Sequence, residues 1–318
     1  DSLKTDNDFK SDSFSFQIQL RKHPLLTEVL FPELVEFEPG NIIGSFDGKK
    51  RELKLNTAFK NVTYGEVKVK NINLDMSSDS NAINYKFSTS SITNPQLRVD
   101  HFLVEGKIAD HKIEASFSST DDQQNKKLLI NSLIERDSSN YKISLDPHDF
   151  YLMDEPWNIA TDNYILFGEQ GFLIHKLNLS KLECQINVTS ANQKFNDDLS
   201  ITGIKFKLND ILGIVLKDSN LVRGTVNGNV LLKRVNESYG IIANSQIDQL
   251  FFTGVPIGNL MVKAENPKAE QFDIAMNLSG AGNELTANGY FNPLGGDSSI
   301  QINIDIPSLS MKTIEAFS

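Results

Sequence analysis

The chain has 318 residues, 41 acidic against 31 basic side chains, a net charge of −10 and 39% hydrophobic residues, which describes a folded, water-soluble sequence. That sign of charge excludes holding nucleic acid through its phosphates. No run approaches the ~18 apolar residues of a membrane-spanning helix, and a single cysteine, Cys184, leaves no internal disulfide.

In chain order, the polar start Asp1-Ser2-Leu3-Lys4-Thr5-Asp6-Asn7-Asp8 has no initiator Met and no apolar leader, which predicts a piece of a longer chain. Phe14, Phe16, Ile18 and Leu20 then alternate with Ser15, Gln17 and Gln19, the period of a strand with one apolar face. A short helix is expected over Leu25 to Val35, interrupted by Pro32, followed by short alternating runs at Leu53 to Leu55 and Ile113 to Phe117. Between Val67 and Met76 the alternation slips at Asn71, which reads as a bulge or corner. Leu182, Ile186 and Val188 form the apolar side of a run from Leu182 to Val188, with Glu183 and Gln185 outside. Phe272, Ile274, Met276 and Leu278 form another, and Ile300, Ile302, Ile304 and Ile306 the last. Further short helices are expected at Leu208 to Leu216 and, after Pro307, at Ser308 to Phe317, where the uncapped end again predicts a longer chain. Turn clusters at Asp79-Ser80-Asn81, Asp137-Ser138-Ser139-Asn140, Gly280-Ala281-Gly282-Asn283 and Gly295-Gly296-Asp297 suit antiparallel meanders.

The glycine pairs Gly44/Gly48 and Gly224/Gly228 share one offset of 180 residues and each follows an expected helix, so the chain reads as a loose repeat. The division is a first repeat region over 1–205, a second over 206–305, and the start of a third over 306–318. The expected architecture is all-β: an elongated, curved antiparallel β-groove, an open half-barrel with a few short helices.

Catalysis finds little footing. His23, His101, His111, His148 and His175 are scattered without a metal-binding spacing, and Cys184 sits at an inward strand position. Asp146-Pro147-His148-Asp149 reads as a turn, Gly280 to Gly282 as a hairpin rather than a phosphate cradle, and Trp157 as an aromatic plug. The chain is therefore expected to be no enzyme, with no cofactor and no metal. Its apolar faces remain, as a core or a lipid trough.

The run Asn209-Asp210-Ile211-Leu212 through Asp218 to Val230 resembles the repeat signature of the TamB family, the inner-membrane component of the translocation and assembly module of Gram-negative bacteria. Thr253 to Leu260, Gly282 to Asn292, Pro307 to Phe317, and Phe150 to Ile159 with Ile165-Leu166-Phe167 resemble the same proteins in order. The resemblance implies a periplasmic segment of an inner-membrane-anchored, AsmA-like protein, similar to the bridge-like lipid transfer proteins and folded as a β-taco. Its implied role is to shield phospholipid or other acyl chains between the two membranes, with Phe14, Phe16, Ile18, Leu20, Leu182, Ile186, Val188, Phe272, Ile274, Met276, Leu278, Ile300, Ile302, Ile304 and Ile306 lining the groove. The alternative is assembly of outer-membrane β-barrel proteins by strand augmentation, with a barrel partner met through regions outside this sequence. A glycan-binding sandwich would want clustered aromatics, against which stand one Trp and seven Tyr.

Overall fold

The computed structural model describes residues 12–95, 97–152, 154–208, 221–235, 238–268, 271–292 and 299–317. The protein is all-β, 71% strand and 5% helix, in two antiparallel sheets of which neither closes into a barrel. It divides into two compact units, Asp1–Arg136 with Asp149–Pro156, and Asp137–His148 with Trp157–Ser318. Among the described residues no helix is long and apolar enough to cross a membrane. Most of the helix expected at Leu208 to Leu216, and the turn at Gly295-Gly296-Asp297, lie outside the described residues.

The first unit holds β1 (Ser13–Leu20), the π-helical turn α1 (Leu25–Leu30), β2 (Leu34–Phe37), β3 (Gly40–Asp47), β4 (Glu52–Tyr64), β5 (Val67–Ser78), β6 (Ala82–Ser88), β7 (Ser91–Thr93), β8 (Arg98–Asp100), β9 (Leu103–Ala109), β10 (Lys112–Thr120) and β11 (Lys126–Asp137). After β12 of the second unit (Asn140–Leu145), β13 (Tyr151–Leu152) and β14 (Glu155–Pro156) return to it. The main path runs β1-β3-β4-β5-β6-β9-β10-β11, each pair antiparallel. The expected first helix is shorter than its pattern: Pro32 lacks an N–H to continue it, and a strand begins at Leu34. At Asn71 the backbone turns left-handed, φ +49°, and the side-chain amide donates to Ser90 Oγ at 3.0 Å. Before Asn71, β5 pairs with β7; after it, with β6. The slip in alternation is thus a corner, and it moves Val67 and Val69 off the face of Ile72, Leu74 and Met76. Val69 joins a small apolar ladder, Phe37–Val62–Val69–Ile92–Val99, and Val67 pairs with Tyr64.

The second unit adds β15 (Asn158–Ile159), β16 (Tyr164–Gly168), β17 (Gly171–His175), β18 (Leu177–Lys181), β19 (Cys184–Ser190), β20 (Leu199–Lys207), β21 (Val222–Val235), β22 (Ser238–Phe252), β23 (Val255–Lys268), β24 (Gln271–Gly280), β25 (Asn283–Asn292), β26 (Ser299–Ser308) and α2 (Met311–Ala316). The strands β15-β18-β19-β20-β21-β22-β23-β24-β25-β26 lie side by side, a meander from β18 onward. Bulges interrupt it where single residues turn left-handed, at Lys205 (φ +53°) and Gln249 (φ +50°). Each bulged N–H is taken up by an asparagine of the next strand, Lys205 by Asn227 Oδ1 and Gln249 by Asn259 Oδ1, both at 2.9 Å. Trp157 plugs the start of this unit: it is buried and stacks on buried Phe206, ring centroids 5.9 Å apart.

The glycine pairs occupy unlike places. Gly44 lies inside β3 and Gly48 in the turn after it, whereas Gly224 and Gly228 both lie inside β21. The sequence divisions at 205/206 and 305/306 fall within β20 and β26.

Candidate functional site

Residues opposite one another in an antiparallel ladder share a face of the sheet. In the second unit this rule traces one unbroken row across nine strands: Leu179, Ile186, Gly203, Gly228, Ser245, Val262, Met276, Ala287 and Ile304. The adjacent row on the same face is Leu177, Val188, Ile201, Val230, Ala243, Ala264, Ile274, Gly289 and Ile302. Between them on the opposite face run Asn178, Asn187, Thr202, Asn229, Asn244, Lys263, Ala275, Asn288 and Asn303. The sheet is therefore two-sided, apolar on one face and rich in uncharged amides on the other.

The apolar face is smallest where glycine, alanine and serine fall on neighbouring strands. Two shallow depressions lie along these strands and are lined mostly from the opposite face, one of about 380 Å³ by Thr202, Asn229, Asn244, Gln246 and Lys263 among others, the other of about 500 Å³ by Asn244, Lys263, Glu265, Asp273 and Asn288 among others. Val262, Ile274 and Met276 are half-buried while Leu278 and Ala287 are buried.

Of the expected groove residues, Ile186, Val188, Phe272, Ile274, Met276, Leu278, Ile300, Ile302 and Ile304 share this face. Ile306 follows Asp305, where pairing with β25 shifts, and is exposed. Phe14, Phe16, Ile18 and Leu20 lie together on one face of the first unit's sheet, opposite Phe46, Gly44, Ile42 and Gly40. The Phe16 ring covers the space a side chain at Gly44 would need. That row continues through Leu55, Met76, Tyr85, Gly106 and Ala115.

Leu182 is a correction. It is not in a strand but in the two-residue turn between Lys181 and Cys184, with φ +53° and 95% of its surface exposed. The cross-strand pairs Leu177↔Val188 and Leu179↔Ile186 fix where the hairpin must reverse, and Leu182 falls at the reversal whatever its own preference.

Sequence alternation missed the contributions of β18, β20, β21, β22, β23 and β25. Leu260, Val262 and Ala264 alternate cleanly with Met261, Lys263 and Glu265 and could have been found. Glycine and serine in β21 and β22 hide the rest.

The candidates for chemistry remain apart. Asp146 and His148 form a turn, with Nδ1 of the exposed imidazole 2.8 Å from Asp146 Oδ1, and the backbone and side-chain N–H of His148 hold the Asp146 carboxyl below its usual range. Gly280 and Asn283 close the β24–β25 hairpin. Among the described residues no three His, Cys, Asp or Glu side chains converge on a metal-sized point. No protein-family model, curated protein or solved structure matches the chain.

Proposed function

We propose that the two apolar sheet faces bind acyl chains, and that the chain is a non-enzymatic, lipid-shielding segment of the TamB type acting in the periplasm between inner and outer membranes. The observation that carries this reading is the apolar row crossing nine strands on one face while the other face is polar. Each methylene moved from water onto such a surface gains about 0.8 kcal/mol, so an acyl chain gains on the order of 10 kcal/mol. Neither row carries a charged side chain on any of its nine strands, so sliding by one strand spacing of about 4.8 Å exchanges one uncharged contact for another. Shallow wells suit passage rather than storage. A site for one specific small molecule would instead carry convergent polar groups, and the two rows offer only Ser245.

The test places a photocrosslinker at Val262, with Lys263 as the control on the opposite face, followed by lipid extraction from purified protein. The expected result is phospholipid captured at Val262 and not at Lys263. Equal capture at both, or none at Val262 in a folded protein, overturns the proposal.

A further inference from the structure

Strand β26 is the last strand of the second unit's sheet. Strand β26 pairs with β25 on one side and, among the described residues, with no strand on the other. It is ten residues long, and Ile300, Ile302, Ile304 and Ile306 are all exposed. Edge strands are ordinarily blunted by lysine, by inward-pointing charge, by bulges or by brevity. Over Ser299–Ser308 the only charge is Asp305, there is no lysine, and the only proline is Pro307 near the end.

We propose that β26 is a dimerisation edge, at which two copies of the chain pair antiparallel about a two-fold axis through Asn303. The strand is self-complementary in that one register. Ile302 falls opposite the partner's Ile304, Ile300 opposite the partner's Ile306, and Gln301 opposite the partner's Asp305, so all four isoleucines meet isoleucine and the two carboxylates avoid each other. Pro307, which has no N–H to give, falls opposite the partner's Ser299 at the last rung. Moving the axis by one residue pair, to Ile302 or to Ile304, leaves an isoleucine without an isoleucine opposite. A foreign strand would match by apolar alternation alone, whereas the second copy also satisfies the charge and proline positions.

Pairing of this kind is isologous and closes at two copies. A two-fold axis normal to the sheet keeps both apolar faces on the same side, so ten strands from each copy would present one surface. Pairing at this edge is independent of whether that surface carries lipid.

The experiment uses the chain with Cys184→Ser, so that no native thiol interferes. In an antiparallel ladder opposed Cα atoms lie about 4.5–5.5 Å apart, within disulfide reach. Asn303→Cys should therefore give a disulfide-linked dimer on oxidation with diamide. Gln301→Cys should not crosslink to itself, since its copies sit four residues out of register, about 13 Å apart along the strands. A mixture of Gln301→Cys and Asp305→Cys chains should crosslink.

Sedimentation of the parent should give twice the chain mass, and Ile304→Lys the single mass with an unchanged circular dichroism spectrum. A monomeric parent at all concentrations, a dimer that survives Ile304→Lys, oligomers that grow past two, or equal crosslinking at positions 301 and 303 would each overturn the proposal. If Asn303→Cys does not fold, the parent and Ile304→Lys masses decide it.

Discussion

Asn283 Oδ1 accepts the backbone N–H of Ser310 at 2.8 Å, and through that bond the β24–β25 hairpin holds the start of α2. The same buried amide donates Nδ2 to the carbonyl of Ile257 at 2.7 Å, so one side chain joins three segments distant in sequence. Replacing it with alanine orphans a buried carbonyl and a helix-leading N–H together. Asn283→Ala should cost about 2–3 kcal/mol in urea unfolding, and Asn283→Asp, which keeps the acceptor but sets a buried carboxylate against the Ile257 carbonyl, should cost at least as much. A variant within about 0.5 kcal/mol of the parent would show that water replaces both bonds.

The Trp157–Phe206 stack gives a second prediction. Both rings are buried, so removing either leaves a cavity lined by the other. Trp157→Ala should cost about 3–5 kcal/mol. The two alanine substitutions should also be non-additive: with one ring gone, the second has already lost its packing. Additivity within about 0.5 kcal/mol in a double-mutant cycle would mean the rings are held by the sheet rather than by each other.

Acid stability follows from the turns. Asp79 Oδ1 accepts the N–H groups of Asn81 at 2.8 Å and Ala82 at 2.9 Å, and these bonds hold its carboxyl below the ordinary range. Asp121 is lowered likewise, first by the side-chain amide of Asn125 and then by its backbone N–H. A carboxyl depressed in the folded state stabilises above its unfolded value of about 3.9, and that contribution is lost as pH falls through the lower folded value. Melting temperature should therefore decline between about pH 5 and pH 2. Asp79→Asn, which keeps an acceptor that does not titrate, should be less stable than the parent near neutrality and lose less on acidification.

What could be read in the sequence was whatever depends on alternation. The Ile300 to Ile306 strand, the Phe272 to Leu278 strand and the corner at Asn71 all announce themselves in the order of apolar and polar side chains, because the pleat imposes a period of two. Long-range pairing leaves no such mark. Lys181-Leu182-Glu183-Cys184 contains no glycine, asparagine or proline, yet it is a hairpin, because the register of its two arms outweighs the turn preference of two residues. Asn227, Asn259 and Asn283 look like loop or outward residues, and only the folded chain shows that each caps a backbone N–H of a neighbouring segment. The glycine offset of 180 joins unlike local structures at its second pair, since Gly48 lies in a turn and Gly228 inside a strand. Exposure, too, is a property of neighbours. Ile304 has the same pattern as Met276, but it sits on an edge and stays 59% exposed.

That difference decides where a charge should be placed to separate a lipid-binding face from a closed core. At Ile304 an aspartate would be tolerated in either case, because the side chain already meets water. Met276 is the informative position: it is half-buried, it lies mid-sheet between Val262 and Ala287, and its neighbours in the row are aliphatic or small. If the face is covered by protein, Met276→Asp buries an unpaired charge and should cost at least about 3 kcal/mol. If the face is open to water when no lipid is present, the carboxylate stays hydrated and the melting temperature should change little. In the open case the charge also interrupts the apolar row, so crosslinker at Val262 should capture several-fold less lipid than in the parent. Asn277→Asp, one residue along on the opposite face, should change neither reading. Near-parental melting with lost capture is the expected outcome for Met276→Asp. Unfolding of this variant, or capture equal to the parent, would place the face inside a core or the lipid elsewhere.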